Sequence, residues 1–138
     1  MKKLLLALTL VAAPALARPQ SVYSTWAIQH APAAAAVATI SKAAAAGSRH
    51  VATSVTVCVS AAATAQTPLQ FSLRDGATGA GTILWTVRLS APANSTACAT
   101  LPHEPFVGSV NTAMTLESAG VTVAGAFATV ALTGYTTH

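Results

Sequence analysis

One stretch near the middle of the chain alternates apolar and polar residues with a period of two, and this alternation limits the fold more than any other feature. A β-strand points successive side chains to opposite faces. Between His50 and Ser60 the apolar face holds Val51, Val55, Val57 and Val59, and the polar face holds Ser54, Thr56, Cys58 and Ser60. The segment therefore predicts a strand with one buried face and one solvent-facing face.

The following segments repeat the alternation and predict a hairpin. Residues 69–74 alternate Leu, Phe and Leu with Gln, Ser and Arg, and Asp75-Gly76 then opens a glycine-containing loop that ends at Gly81. Asp and Gly favour turns. The returning strand runs from Thr82 to Ser90, and its inward residues are predicted to be Ile83, Trp85, Val87 and Leu89.

Further short strands are predicted on both sides of this hairpin. They cover residues 22–29, 35–41, 96–101, 112–118 and 121–135, the last broken near Gly125. Alanine runs at 33–36 and 43–46 leave helix open as an alternative in the first part of the chain. Seven to nine strands separated by Gly, Pro and Asn turns indicate an all-β fold, an antiparallel β-sandwich or jelly roll.

The amino terminus has the pattern of an export signal. Two lysines precede an apolar run that closes on Ala15-Leu16-Ala17, a small-x-small site. Residues 1–17 are therefore predicted to be a signal peptide, with a retained N-terminal anchor as the alternative. Residues 18–47 then form an Ala-rich arm with possible strands, and residues 48–138 form the sandwich core. If this signal peptide directs export, the protein is expected to be secreted or periplasmic.

The charge of the chain is low and scattered. Seven basic and three acidic residues make up 7% of the chain. Without Lys2 and Lys3 the balance is five against three, or a net charge of +2. No basic run or interleaved aromatic pattern is present, so no nucleic-acid partner is predicted. A surface of Ser, Thr, Ala and Gly suits packing against neighbouring subunits.

Residues for catalysis or metal binding are few. The only acidic residues, Asp75, Glu104 and Glu117, fall in three separate segments, and Glu117 is expected to be solvated on the polar side of a strand. The four histidines lack the i, i+2 or i, i+4 spacing of metal sites. The sequence therefore predicts a protein that is not an enzyme and has no cofactor and no metal.

Cys58 and Cys98 are the only cysteines. An even number of cysteines in an exported protein favours a disulfide. Both lie on the polar faces of their predicted strands, so a bridge requires those two strands to be close together. Two free thiols are the alternative if the protein is assembled in a cytoplasm.

Four segments carry a resemblance to a known group of proteins: Ser48–Val51, Leu73–Trp85, Gly108–Glu117 and Leu132–Tyr135. They resemble small β-sandwich proteins of tailed bacteriophages and prophages that are encoded among virion structural genes. The resemblance covers about residues 38–136. It implies a decoration, cement or tail-associated adhesion protein on the virion surface, in contact with identical subunits or other virion proteins and expected to be a homo-oligomer.

The N-terminal signal pattern departs from this group and keeps a second function open. That alternative is a secreted or periplasmic binding module for a surface glycan or an envelope protein. Loops on a rigid sandwich commonly carry binding residues. The predicted contact residues are Arg74, Asp75, Thr78, His103, Glu104 and Phe106.

Overall fold

A computed structural model describes residues 23–101, 105–120 and 122–138, which contain nine strands and no helix. The all-β prediction is confirmed. The strands are β1 (Ser24–His30), β2 (Thr39–Lys42), β3 (Arg49–Ser60), β4 (Gln66–Asp75), β5 (Thr82–Ala91), β6 (Thr96–Thr100), β7 (Phe106–Val107), β8 (Met114–Ala119) and β9 (Phe127–Thr137). Within these residues no helix is long and apolar enough to cross a membrane.

The strands form two antiparallel sheets that pack face to face. Sheet A has the order β1-β9-β3-β6, with the short β7 also paired to β3, and sheet B has the order β2-β8-β4-β5. The first strand pairs with the last, β2 with β8, β3 with β6 and β7, and β4 with β5. This nested pairing wraps the chain into a jelly roll.

The alanine-rich segment contributes the first strand of each sheet. β1 pairs with β9 from Ser24 opposite Thr136 to His30 opposite Val130. β2 pairs with β8 from Thr39 opposite Glu117 to Lys42 opposite Met114. Residues 24–42 therefore belong to the sandwich, whereas the predicted signal peptide at residues 1–17 lies outside the described residues.

The largest core side chains come from the middle strands of the two sheets. These strands have a neighbour on both sides, so their inward residues are fully enclosed. The hydrophobic side chains of these middle strands with no exposed surface are Val55, Val57, Val59, Phe71, Leu73, Met114, Leu116, Ala128 and Leu132. The edge strands add partly buried residues such as Trp26, Trp85 and Val87. Many small alanines are thus accommodated around a few large side chains.

Two irregularities change the predicted alternation. The register of β3 against β9 shifts between Ala52 and Ser54, and the bulge places Ala52 rather than Val51 in the main core cluster. The register of β4 against β5 shifts after Leu73. Beyond that shift Ile83 is 46% exposed, so the prediction that it faces inward is wrong.

A polar and aromatic network fills one end of the sandwich. The Trp26 indole N–H donates to Thr136 Oγ1 at 3.2 Å, and Thr136 Oγ1 lies 2.9 Å from Nδ1 of the buried His50. His50 Nε2 lies 2.8 Å from the Ala43 carbonyl oxygen, which can only accept. When His50 carries its proton on Nε2, its Nδ1 accepts from the Thr136 hydroxyl. Every donor and acceptor in this series of hydrogen bonds, from Trp26 to Ala43, then has a partner.

Gly134 of β9 lies directly opposite Trp26 of β1, and the Trp26 ring leaves no room for a side chain at this position. A Cβ at Gly134 would collide with the Val51 carbonyl oxygen and lie 2.7 Å from the Trp26 ring. We expect Gly134→Val to lower the free energy of unfolding by at least about 3 kcal/mol, because the strands must separate to admit the side chain.

The matched control is Thr133→Val, one residue earlier on the opposite face of β9, which should change stability by less than about 1 kcal/mol. Urea unfolding of both variants measures the difference. Equal stabilities would show that this close approach is not required by the fold.

Candidate functional site

The charged residues are divided very unequally between the two sheets. The strands of sheet B contain five of them, Lys42, Arg74, Asp75, Arg88 and Glu117. The strands of sheet A contain a single Lys, Arg, Asp or Glu, which is Arg49 at the start of β3. The two outer faces of the sandwich therefore differ in chemistry.

On sheet B, Glu117 holds the loop between β4 and β5. One carboxylate oxygen of Glu117 pairs with Nε of Arg74, and the other accepts from the Gly79 N–H at 2.9 Å. The side chain of Glu117 is only 8% exposed. The expectation that Glu117 is solvated is therefore wrong, because the loop folds back over the outer face of the sheet.

Asp75 joins two loops at the same end of the sandwich. Its Oδ2 accepts from the backbone N–H of Ser109 at 2.9 Å and from the Ser109 hydroxyl at 2.6 Å. The Gly76 N–H donates to the Ala113 carbonyl at 2.8 Å, and the Thr115 hydroxyl donates to the Gly76 carbonyl at 2.8 Å. These bonds fasten the β4–β5 loop to the segment that leads into β8.

The predicted contact residues are thus placed in different roles. Arg74 and Asp75 are engaged in contacts within the chain, whereas Thr78 is exposed in the β4–β5 loop. Phe106 is half-buried and packs against the core. His103 and Glu104 lie outside the described residues. Arg74, Asp75 and Thr78 therefore lie at or within the β4–β5 loop but bind different partners, and Thr78 is the most accessible of the three.

The two cysteines form a disulfide between neighbouring strands of sheet A. Cys58 of β3 is directly opposite Cys98 of β6, with a Cα–Cα distance of 4.1 Å. Hydroxyl pairs lie on both sides, Ser60 with Thr96 at 2.9 Å and Thr56 with Thr100 at 3.4 Å. The bridge lies on the outer face, so it attaches the edge strand β6 to β3 rather than joining the two sheets.

A shallow depression lies on the outer face of sheet A, between β1, β9 and β3. Its floor is Ala131, which has Gln29 opposite it on β1 and Thr56 opposite it on β3. Thr129 and Thr133 flank Ala131 along β9. Two adjoining parts of this depression, of about 420 and 320 Å³, share Gln29 and Ala131. We call these five residues the Ala131 depression.

None of the five residues of the Ala131 depression is among the contact residues predicted from the sequence. The sequence of each strand indicates which of its Thr and Ser residues face outward. The depression, however, forms only because β1 pairs with β9 and β9 pairs with β3. That order depends on pairs far apart in the chain. The uncharged polar positions of β3 and of the final segment were the available signal, and nothing local shows that they share a face.

Most of the ionisable groups in the interior of the described part of the chain are engaged in hydrogen bonds within it. Within the described residues no three His, Cys, Asp or Glu side chains are grouped closely enough to hold a metal ion. His50 is buried with both ring nitrogens engaged. Both carboxylate oxygens of Glu117 are engaged, one by Arg74 and one by the Gly79 N–H. In Asp75 only Oδ2 is engaged, by the N–H and hydroxyl of Ser109, whereas Oδ1 is buried without a hydrogen-bond partner within the described residues. The hydrogen-bonded groups stabilise the fold.

Comparison of the chain with protein-family models, with curated proteins and with solved structures finds no match. The resemblance to phage proteins therefore stays a prediction.

The contribution of Glu117 to holding the β4–β5 loop can be measured as a change in the free energy of unfolding. Glu117→Ala should lower the free energy of unfolding by about 3 kcal/mol, because it leaves the half-buried Arg74 without its partner and frees the Gly79 N–H. Arg88→Ala, which removes an exposed charge from β5, should cost less than about 0.5 kcal/mol.

Chemical denaturation of the two variants, with Arg74→Ala and the double variant added, gives the coupling between Arg74 and Glu117. If Glu117→Ala were as stable as Arg88→Ala, the carboxylate would not be the anchor of this loop.

Proposed function

We propose that this chain is a non-enzymatic structural protein associated with a phage virion, as a decoration, cement or tail-associated adhesion module. The outer face of sheet A is its contact surface in this proposal. The observation that carries the proposal is the chemistry of that face, where the strands present mainly Thr, Ser, Ala and Gln, with a single charged residue at one end. Other residues of this face include Phe127, Tyr135 and the Cys58–Cys98 disulfide, none of them charged.

Low charge favours packing of this face against another surface. A charged side chain must lose its water when an interface forms, which costs several kcal/mol unless a partner compensates it. Charged residues are accordingly depleted from the centres of protein interfaces. Alanine and the short hydroxyl side chains also lose little rotamer entropy on contact. Removing water from this face therefore carries a smaller free-energy penalty than it would on a charged face.

The architecture agrees with this proposal at the level of analogy. Jelly rolls occur in viral capsid and lectin domains, although a fold does not define a function. Identical subunits commonly assemble by repeating one surface contact around a symmetry axis. A homo-oligomer, or a lattice on another virion protein, follows from the proposal. It assigns no cofactor, metal or nucleic-acid partner.

One observation favours the alternative of a secreted or periplasmic binding module. The Cys58–Cys98 disulfide is of the kind that persists in oxidising compartments, and an export-like segment begins the chain. In that case the partner would be a glycan or an envelope protein of a cell. The location of the native protein separates the two functions.

The test uses matched carboxylates on the two outer faces. Thr129→Glu adds a charge to the middle of sheet A, and Ser90→Glu adds one to an exposed position of β5 in sheet B. Both variants are produced in the native source, and the protein recovered with purified particles is measured. We expect Thr129→Glu to reduce association at least about tenfold, equal to 1.4 kcal/mol, and Ser90→Glu to leave it unchanged.

Two outcomes would overturn parts of the proposal. If the natural chain is released from cells and is not recovered with particles, the virion assignment fails and the secreted module replaces it. If Thr129→Glu and Ser90→Glu associate equally well with particles, the outer face of sheet A is not the contact surface.

A further inference from the structure

We infer that the Ala131 depression binds a neutral oligosaccharide. This inference rests on the alternative given under the proposed function, a secreted or periplasmic module whose partner is a glycan, and it places that glycan on the outer face of sheet A. It is carried by four observations: the shape of the depression, the kind of hydrogen-bonding groups that surround it, the low charge of the sheet around it, and an exposed aromatic residue on the same strand.

The shape results from the strand register. Gln29, Ala131 and Thr56 lie in one row across β1, β9 and β3. Directly opposed side chains on neighbouring strands have Cβ atoms about 5 Å apart. The methyl group of Ala131 is smaller than the side chains around it, so the row is low in its centre. The larger part, about 420 Å³, lies within the range of small-molecule sites.

The hydrogen-bonding groups match hydroxyl groups of a sugar. The Gln29 amide offers two donor hydrogens and an acceptor oxygen, and the hydroxyls of Thr56, Thr129 and Thr133 can each donate and accept. A sugar hydroxyl has the same dual capacity. These side chains can therefore satisfy a polyhydroxylated ligand without any charge.

The charge distribution selects a neutral ligand. Arg49, the one charged residue in the strands of sheet A, is seven positions from Thr56 along β3, or about 20 Å. His30, at the end of β1, also lines the larger part of the depression, and its Nδ1 accepts from the Thr39 N–H at 3.2 Å. A carboxylate, sulfate or phosphate group in the depression would therefore be desolvated with no Lys or Arg side chain of the sheet beside it. Such a loss is unfavourable.

Phe127 extends the site along β9. It is 46% exposed and is the next outward-facing residue beyond Thr129. Its ring offers an apolar surface on which the C–H face of a sugar can pack. Phe127 is four residues from Ala131, or about 13 Å. A ligand that reaches from Ala131 to Phe127 is longer than one sugar ring.

The experiment titrates isotope-labelled full-length protein with neutral hexasaccharides, namely maltohexaose, cellohexaose, chitohexaose, mannohexaose and galactohexaose. A hexasaccharide of alginate serves as the anionic control. We expect at least one neutral hexasaccharide to shift the NMR signals of Gln29, Thr129 and Ala131, and the alginate fragment to leave them unchanged.

Matched variants locate the binding. Ala131→Leu fills the depression and Phe127→Ala removes the ring, and each should weaken binding at least about tenfold. Ala119→Leu makes the same size change on the exposed outer face of β8 and should leave affinity unchanged. Retained dispersion of the NMR spectra shows that each variant is folded.

Binding of no neutral hexasaccharide, binding of alginate alone, or equal affinity of the Ala131→Leu and Ala119→Leu variants would overturn the inference. These results are distinguishable from failure of the proposed function. If Thr129→Glu still prevents association with particles while no sugar binds, the face is a protein contact and only the glycan inference fails.

Discussion

The fold depends on the antiparallel pairing of β3 with β9. The pairing runs the full length of both strands, from Arg49 opposite Thr137 to Ser60 opposite Phe127. It joins the middle of the chain to its last strand, so a long loop must close before the contacts form. Once formed, it supplies the inward valines of β3 and Leu132 to the core and leaves a free edge on each side, where β1 and β6 are added.

The two sheets divide the tasks of the molecule. The strands of sheet B carry most of the charged residues. Two of these, Glu117 and Asp75, bind groups within the chain and each fastens a loop at one end of the sandwich. The outer surface of sheet A carries mainly small polar residues, and the disulfide lies near one of its edges. A stable fold and a free, uncharged surface are thus obtained from different halves of one small domain.

The local features of the fold could be predicted from the sequence, and the long-range ones could not. Alternation at Val55, Val57 and Val59 identifies β3 because a strand's side-chain period is independent of its neighbours. The bulge after Ala52 and the shift after Leu73 depend on the partner strands. The bulge brings Ala52 into the main core cluster while Val51 stays buried beside it, and the shift leaves Ile83 exposed, against the prediction. Arg74 and Asp75 looked like exposed loop residues because Glu117 and Ser109, which bind them, are distant in sequence.

The central claim, that the outer face of sheet A makes contact in the native assembly, is tested most directly by hydroxyl-radical footprinting. Phe127 on sheet A and Ile83 on sheet B are both 46% exposed in the free chain, so they form a matched pair of probes. Comparing their oxidation in the free protein and in purified particles measures which face loses contact with water. The account predicts that oxidation of Phe127 is largely suppressed in the particle while that of Ile83 is unchanged. Suppression at Ile83 with Phe127 still oxidised would contradict it.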